Sequence, residues 1–436
     1  MPFRYITTNQ FKAFLFIVIY LLSGTLTAKD NTDIIHRLIL EARGKELWLQ
    51  RDWKALMHYS PELFGSGFKS LVDDPQFFLA KEGKTSPQLE LESTIKKLFN
   101  AADEKHSIVC RFPARVAFLK KALSIKEQNR PAPNCFKLNN WLKNLKADSL
   151  TIVFPVSVLN SPGSLFGHTF LRLNRNKEKK PDLLAWTINY AAKTGGEKGV
   201  SFAIKGLSGG FPGKFTLAPY YLRVKEYSDI ESRDMWEYQL NFNQQEINLL
   251  LLHLWELLPS YSNYFFVDEN CAYQLLALLQ VARPELKLTD QFYWDASPAA
   301  TIRTLVEAPE LLKNIKFRPS NRRVIAARSS QLSAADNALA LDLVESELSV
   351  TDKVLTTHKK QAEILELAND YAAYLEAIDK KPLINFSDTP QDKQVLLYEL
   401  LSARNKLAIG SRQPEIKTPK YSPDQSHKGV SAQFST

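Results

Sequence analysis

Ser161-Pro-Gly-Ser164-Leu-Phe-Gly167-His168-Thr-Phe-Leu-Arg172-Leu173 is the stretch on which the fold turns. Its first half is a small-residue turn and its second half a short strand-forming run, so the chain swings from the turn directly into a sheet. His168 stands at the first residue of that strand, held at a sheet edge with one ring face open, which suits a general base. Runs of the same kind lie around it: Leu150-Thr-Ile-Val-Phe-Pro-Val156 before, and Leu184-Ala-Trp-Thr-Ile-Asn189-Tyr190 and Met235-Trp-Glu-Tyr-Gln-Leu-Asn-Phe242 after. Helical segments follow. Gln244 to Leu258 is strongly apolar and stops at Pro259, and a second helix runs from Cys271 to about Ala282, ahead of Pro284. Strands followed by helices predict an α+β domain with the helices packed on one sheet.

The start of that second helix carries chemistry. In Asp268-Glu-Asn270-Cys271-Ala-Tyr-Gln-Leu-Leu-Ala-Leu-Leu279, Asn270 is a good N-cap and Cys271 takes the first helical position. The free N–H groups and dipole there favour a thiolate, the form of cysteine that attacks. An unpaired cysteine often serves as a small buried residue; the polar flank Asp268-Glu269-Asn270 argues against deep apolar burial. Cys271 and His168 together predict a thiol nucleophile activated by an imidazole. The third group would come from the strand after His168, where Thr187 and Asn189 share one face and Ile188 and Tyr190 the other; Asn189 is the candidate. The Cys271 backbone N–H is the expected oxyanion donor. Ser161, Ser164, Gly167, Tyr190 and Asn270 are expected to bind substrate or to support the site.

Several motifs, in order, resemble a known family: Ser161 to Arg172, then Ile188-Asn189-Tyr-Ala-Ala192, then Glu231-Ser-Arg233-Asp234-Met-Trp-Glu-Tyr238, then Glu269-Asn270-Cys271-Ala-Tyr273. They are similar to the Lnb N-terminal periplasmic domain family, whose namesake is a lipoprotein N-acyltransferase of the bacterial envelope. The resemblance spans roughly Val109 to Ala326. An earlier segment, with His58-Tyr-Ser60 and Phe77-Phe-Leu-Ala80, resembles a helical domain often found ahead of this one. Histidine first and Asn-Cys on a later helix is an order similar to circularly permuted NlpC/papain-like enzymes such as lecithin:retinol acyltransferase. The resemblance implies a permuted papain-like α+β domain with helical N- and C-terminal additions, a Cys271/His168 pair and acyl chemistry. The expected function is therefore an exported thiol acyltransferase that moves an acyl group from a phospholipid-like ester to an amine or water. The alternatives are a peptidoglycan amidase or peptidase using the same pair, and a non-catalytic envelope binding module.

Export is read from the first residues. Arg4 and Lys12 precede the apolar run Ala13 to Leu22, which is too short to span a bilayer comfortably. Residues 1–28 read as a signal peptide cleaved after Ala28, with an uncleaved anchor as the alternative, and the protein is expected in the periplasm or cell envelope. In that compartment two of the three cysteines can pair. Cys110 and Cys135 are close in sequence and are expected to form a disulfide contributing roughly 3 kcal/mol, which leaves Cys271 free.

The chain has 436 residues, 44% hydrophobic, and a formal net charge of +9. That is enough apolar material for a core, and the charge suits an anionic membrane surface, a phospholipid or lipoprotein substrate, or peptidoglycan. No nucleic-acid partner, cofactor or metal is expected: there is no P-loop, dinucleotide fingerprint, H-E-x-x-H or C-x-x-C. Gly206-Leu-Ser208-Gly-Gly210 fits G-x-S-x-G, but Phe211-Pro212-Gly213 follows where a helix should; 195–213 reads instead as a mobile loop near the site. The expected organisation is a helical N-terminal domain over 29–105, the Cys-His domain over 106–320, a helical region over 321–410 and a disordered tail over 411–436.

Overall fold

The computed structural model describes residues 31–62, 65–100, 103–125, 133–156, 168–178, 181–197, 199–292, 295–345, 347–379, 391–411 and 413–425. The signal-peptide reading of 1–28 and the turn residues Ser161, Ser164 and Gly167 lie outside them.

The N-terminal part has helices α1 (31–44), α2 (Arg51–Leu56), α3 (Pro87–Leu98) and α4 (Pro113–Ala122), with a small antiparallel hairpin of β1 (Tyr59–Pro61) and β2 (Phe68–Ser70). Ser86 caps α3, its hydroxyl accepting from the Leu89 amide, and Pro87 opens it. Helix α5 (Phe136–Leu145) leads into the sheet domain. Cys110 and Cys135 are disulfide-bonded, and Trp255 Nε1 donates to the Cys110 carbonyl at 2.9 Å.

The sheet is seven-stranded and antiparallel throughout, in the order β8-β6-β5-β4-β3-β7-β9. Its strands are β3 (Ser149–Pro155), β4 (Phe170–Asn174), β5 (Trp186–Ala192), β6 (Phe211–Pro219), β7 (Met235–Leu240), β8 (Ser262–Tyr264) and β9 (Leu312–Arg318). Period-two alternation sorts the faces. Leu150, Ile152, Leu171, Leu173, Ile188 and Tyr238 are buried in the main core with α7 (Gln244–Leu257) and α8 (Cys271–Ala282). The opposite face holds Val153, Phe170 and Met235 under Tyr220, Val224 and Tyr227. It also holds a buried polar net in which Arg172 donates to Glu237 at 3.0 Å and to Asn174 at 2.7 Å, and Tyr220 donates to Glu237 at 2.7 Å. The charged residues of the 231–238 motif do similar work: Arg233 donates to the Val156 and Pro155 carbonyls, and Asp234 pairs with Arg323 at 2.7 Å.

Three features depart from the sequence reading. The segment taken as a loop over 195–213 contains a helix, α6 (Gly199–Leu207), and the start of β6. Pro212 and Gly213 mask that strand, which is paired by β5 on one side and β8 on the other. The N-terminal part is not separate from the Cys-His domain, because one hydrophobic core runs from Leu38 through Leu311. Within it Arg115 pairs with Glu90 at 2.9 Å and Glu256 at 3.5 Å, all three side chains being fully buried, and Glu256 also accepts from the Ala114 and Arg115 amides. Finally, the reading of 411–436 as a disordered tail fails over 413–425, where Asp424 accepts from Tyr238 Oη at 2.9 Å and its carbonyl from Arg303 Nε at 3.0 Å. Residues 426–436 lie outside the described residues.

Beyond the sheet, α9 (Pro298–Glu307) precedes β9, and α10 (Asn321–Ser330), α11 (Ala334–Val344), α12 (Gln361–Asp379) and α13 (Gln391–Lys406) follow it. These last helices share their own core around Leu343, Leu365 and Leu400. Ser333 and Asp336 form a capping box at the start of α11. Among the described residues no helix is long and apolar enough to cross a membrane.

Candidate active site

His168 lies two residues ahead of β4, near the middle of the sheet, rather than on the strand itself. Cys271 is the first residue of α8. Asn270 caps that helix as expected, its Oδ1 accepting from the Ala272 and Tyr273 amides at 3.0 and 3.2 Å. Its Nδ2 donates to the Ala296 carbonyl at 2.9 Å, which fastens the helix start to the neighbouring loop. The apolar residues of α8 are packed on the sheet, so the sulfur is carried on a fixed element. The two elements meet with Cys271 Sγ 3.3 Å from His168 Nδ1.

The other ring nitrogen is held as well. His168 Nε2 donates to Asn189 Oδ1 at 2.6 Å, from the face of β5 opposite Tyr190. That bond keeps the proton on Nε2 and leaves the Nδ1 lone pair toward sulfur. Tyr227, on the π-helical turn Lys225–Ile230, stacks on the imidazole with centroids 5.7 Å apart and the planes at 30°. Helix α12 packs on this turn from outside.

Tyr264, at the end of β8, faces the sulfur from another side. Its Oη accepts the Cys271 amide proton at 3.2 Å. The backbone donor expected to stabilise an oxyanion is therefore already engaged, and the phenol hydroxyl stands in its place. Tyr190 does not reach the cavity: it is 1% exposed, and its ring lies 5.7 Å from Tyr264 at 14°, so it sets the angle of the Tyr264 ring. Tyr264 escaped the sequence reading because it stands beside Phe265-Phe266 and reads as core, and Tyr227 because a lone tyrosine in the polar run Lys225-Glu226-Tyr227-Ser228-Asp229 carries no motif.

The electrostatics follow from this geometry. Burial pushes the Cys271 thiol up, but the His168 charge and hydrogen bond, the Thr169 amide and the Tyr264 hydroxyl outweigh it and bring the thiol down to about 7. Burial likewise pushes the His168 imidazole down, but the facing sulfur and the Asn189 bond overcome it and raise the imidazole above its ordinary value. Each group thus holds the other in its charged form. Tyr264 is pushed well above its ordinary value by burial and by the facing sulfur, so its proton stays on and is available to donate.

A cavity of about 170 Å³ opens on Cys271 and His168. Apart from Asn270 and Thr194 its walls are Ala191, Ala192, Phe202, Tyr264, Phe266 and Pro298. Ser208 is exposed at the end of α6 and is followed by a strand, the reverse of the order a serine-hydrolase elbow needs. Among the described residues no group of three or more His, Cys, Asp or Glu could hold a metal ion.

Three family models match the chain: the Lnb N-terminal periplasmic domain over residues 137–308, and two domains of unknown function, DUF7843 over 45–122 and DUF7842 over 315–416. No curated protein and no solved structure matches it. The first match takes in His168, Asn189, Tyr264 and Cys271, so residues 137–308, site included, belong to the Lnb N-terminal periplasmic domain family.

Proposed function

We propose that the protein is an envelope thiol acyltransferase with Cys271 as nucleophile, His168 as its acid and base, and Asn189 as the residue that orients the imidazole. The observation that carries this is the Cys271 Sγ–His168 Nδ1 contact at 3.3 Å, backed by the His168–Asn189 bond at 2.6 Å. The thiol proton passes to His168 Nδ1, and the thiolate attacks the carbonyl carbon of an ester. The oxygen that becomes negative is stabilised by the Tyr264 hydroxyl. The C–O bond then breaks, the leaving alcohol takes the proton from His168, and the acyl group remains on Cys271 as a thioester. An amine or water attacks next, gives its proton to His168, and releases the thiolate as the C–S bond breaks.

The apolar walls favour an acyl chain over a peptidoglycan stem peptide, whose carboxylates and amides would be desolvated there without partners. We read the substrate as a phospholipid-like ester. The sequence order of His168, Asn189 and Cys271 also supports a circularly permuted papain-like arrangement. An envelope location is supported by the periplasmic family and by the Cys110–Cys135 disulfide, a bond typical of oxidising compartments. Labelled phospholipid incubated with the protein should leave an acyl adduct on Cys271 that hydroxylamine releases. Absence of label on folded protein, or equal label on Cys271→Ala, would overturn the assignment.

A further inference from the structure

Helix α6 roofs the Cys271 cavity and turns an uncovered apolar face outward. Its inner side is Phe202, which lines the cavity and packs on Phe266 and Phe211 with ring centroids 5.1 and 5.7 Å away. Gly206 lies so close to the Phe266 ring that a Cβ there would collide with it, which keeps the roof low over the site. The outer side presents Val200, Ile204 and Leu207, which are 77%, 60% and 61% exposed. Their spacing puts them on one face of the helix. Val267, beside Phe266, is exposed too.

The segment that carries this face is basic. The described residues from 193 to 214 hold Lys193, Lys205 and Lys214 against the single carboxylate of Glu197. Lys205 pairs with Glu197, which leaves the charges of Lys193 and Lys214 as the excess. An apolar helix face on a lysine-bearing segment is the pattern of a helix that lies in a membrane interface, where anionic head groups meet the lysines. The face is also continuous with an apolar cavity that ends at a nucleophile.

We propose that the outer face of α6 is a docking surface for an anionic phospholipid bilayer, seating Val200, Ile204 and Leu207 among the acyl chains so that a lipid can enter the cavity beneath. This deepens the acyltransferase reading and rests on it for its purpose, but its test needs no chemistry at Cys271.

The full chain carrying Cys271→Ala should sediment with vesicles of phosphatidylethanolamine and phosphatidylglycerol, more weakly with phosphatidylcholine alone, and less at high salt. Replacing Val200, Ile204 and Leu207 together by Asp should cut vesicle binding by roughly tenfold or more while leaving the circular dichroism spectrum unchanged. Should that variant misfold, Leu207→Cys in the Cys271→Ala background, labelled with an environment-sensitive dye, should brighten on the anionic vesicles. Vesicle binding that survives the triple substitution, or a dye that stays dim, would overturn the proposal. So would gel filtration showing the face to be a dimer contact, with the triple variant monomeric yet still vesicle-bound. Vesicle binding by the chain that retains Cys271, without any thioester adduct on that residue, would instead remove the catalytic reading and leave this surface standing.

Discussion

Replacing His168 by Gln isolates what the imidazole does to the sulfur. In the folded protein the thiol is brought down to about 7 from an ordinary value of 9.0, although burial alone would push it up. Glutamine fills similar space and carries no charge, so the burial effect remains while the main opposing influence goes. The thiol should return to 9 or above, a change of at least about two pH units, or roughly 3 kcal/mol of differential stabilisation of the thiolate. At pH 7 the thiolate fraction would fall from roughly one half to about one part in a hundred. The assay is the pH dependence of alkylation of Cys271, the other two cysteines being bonded to each other. Its midpoint reports the thiol directly and does not depend on the intrinsic reactivity of the sulfur. The sign is fixed: less thiolate at neutral pH and a midpoint displaced upward. A midpoint that stays at about 7 in a folded His168→Gln protein would refute the reasoning and assign the low value to the Thr169 amide and the Tyr264 hydroxyl.

Other perturbations test the surrounding parts. Tyr264→Phe removes the hydroxyl that faces the sulfur and strands the Cys271 amide; turnover should fall by about two orders of magnitude with KM little changed, as for loss of an oxyanion donor, measured by steady-state kinetics on a labelled ester. Asn270→Ala removes the cap of α8 and its tie to Ala296; it should cost about 1–2 kcal/mol in chemical denaturation. Arg115→Met leaves the Glu90 and Glu256 carboxylates buried without their shared cation; a loss of about 3–5 kcal/mol is expected, read from the denaturation midpoint. Met in place of Arg with unchanged stability would mean that both carboxylates take up protons at no cost.

Much of this was legible in the chain because local chemistry and tertiary packing agree there. Asn270 is both the best available cap and the residue observed capping, so the position of Cys271 followed from the sequence. Asn189 and Tyr190 alternate across β5 as period two requires, and this put Asn189 on the side of the imidazole. The failures have equally local causes. In β6 the pair Pro212-Gly213 reads as a turn, yet Gly213 is needed where the Tyr190 hydroxyl leaves no room for a side chain. In β9 the register shift opposite Gln239 and Leu240 inserts an extra residue that breaks the alternation of Leu312, Ile315 and Phe317. Tyr264 gave no signal, because a tyrosine beside Phe265-Phe266 is indistinguishable from packing until the helix start is brought against it. The 413–425 segment has a polar composition that suits disorder, and it is held through Asp424 by partners more than a hundred residues away.

The Glu90–Arg115–Glu256 cluster bears on how such proteins can be recombined. Two regions matched by different families are joined there by a lock whose arginine comes from one and whose second glutamate comes from the other. An exchange of residues 45–122 between relatives would have to import a cation in the place of Arg115, or the recipient helix would be left with a stranded anion at its heart. Inheritance along the gene and integrity in space therefore follow different borders in this molecule.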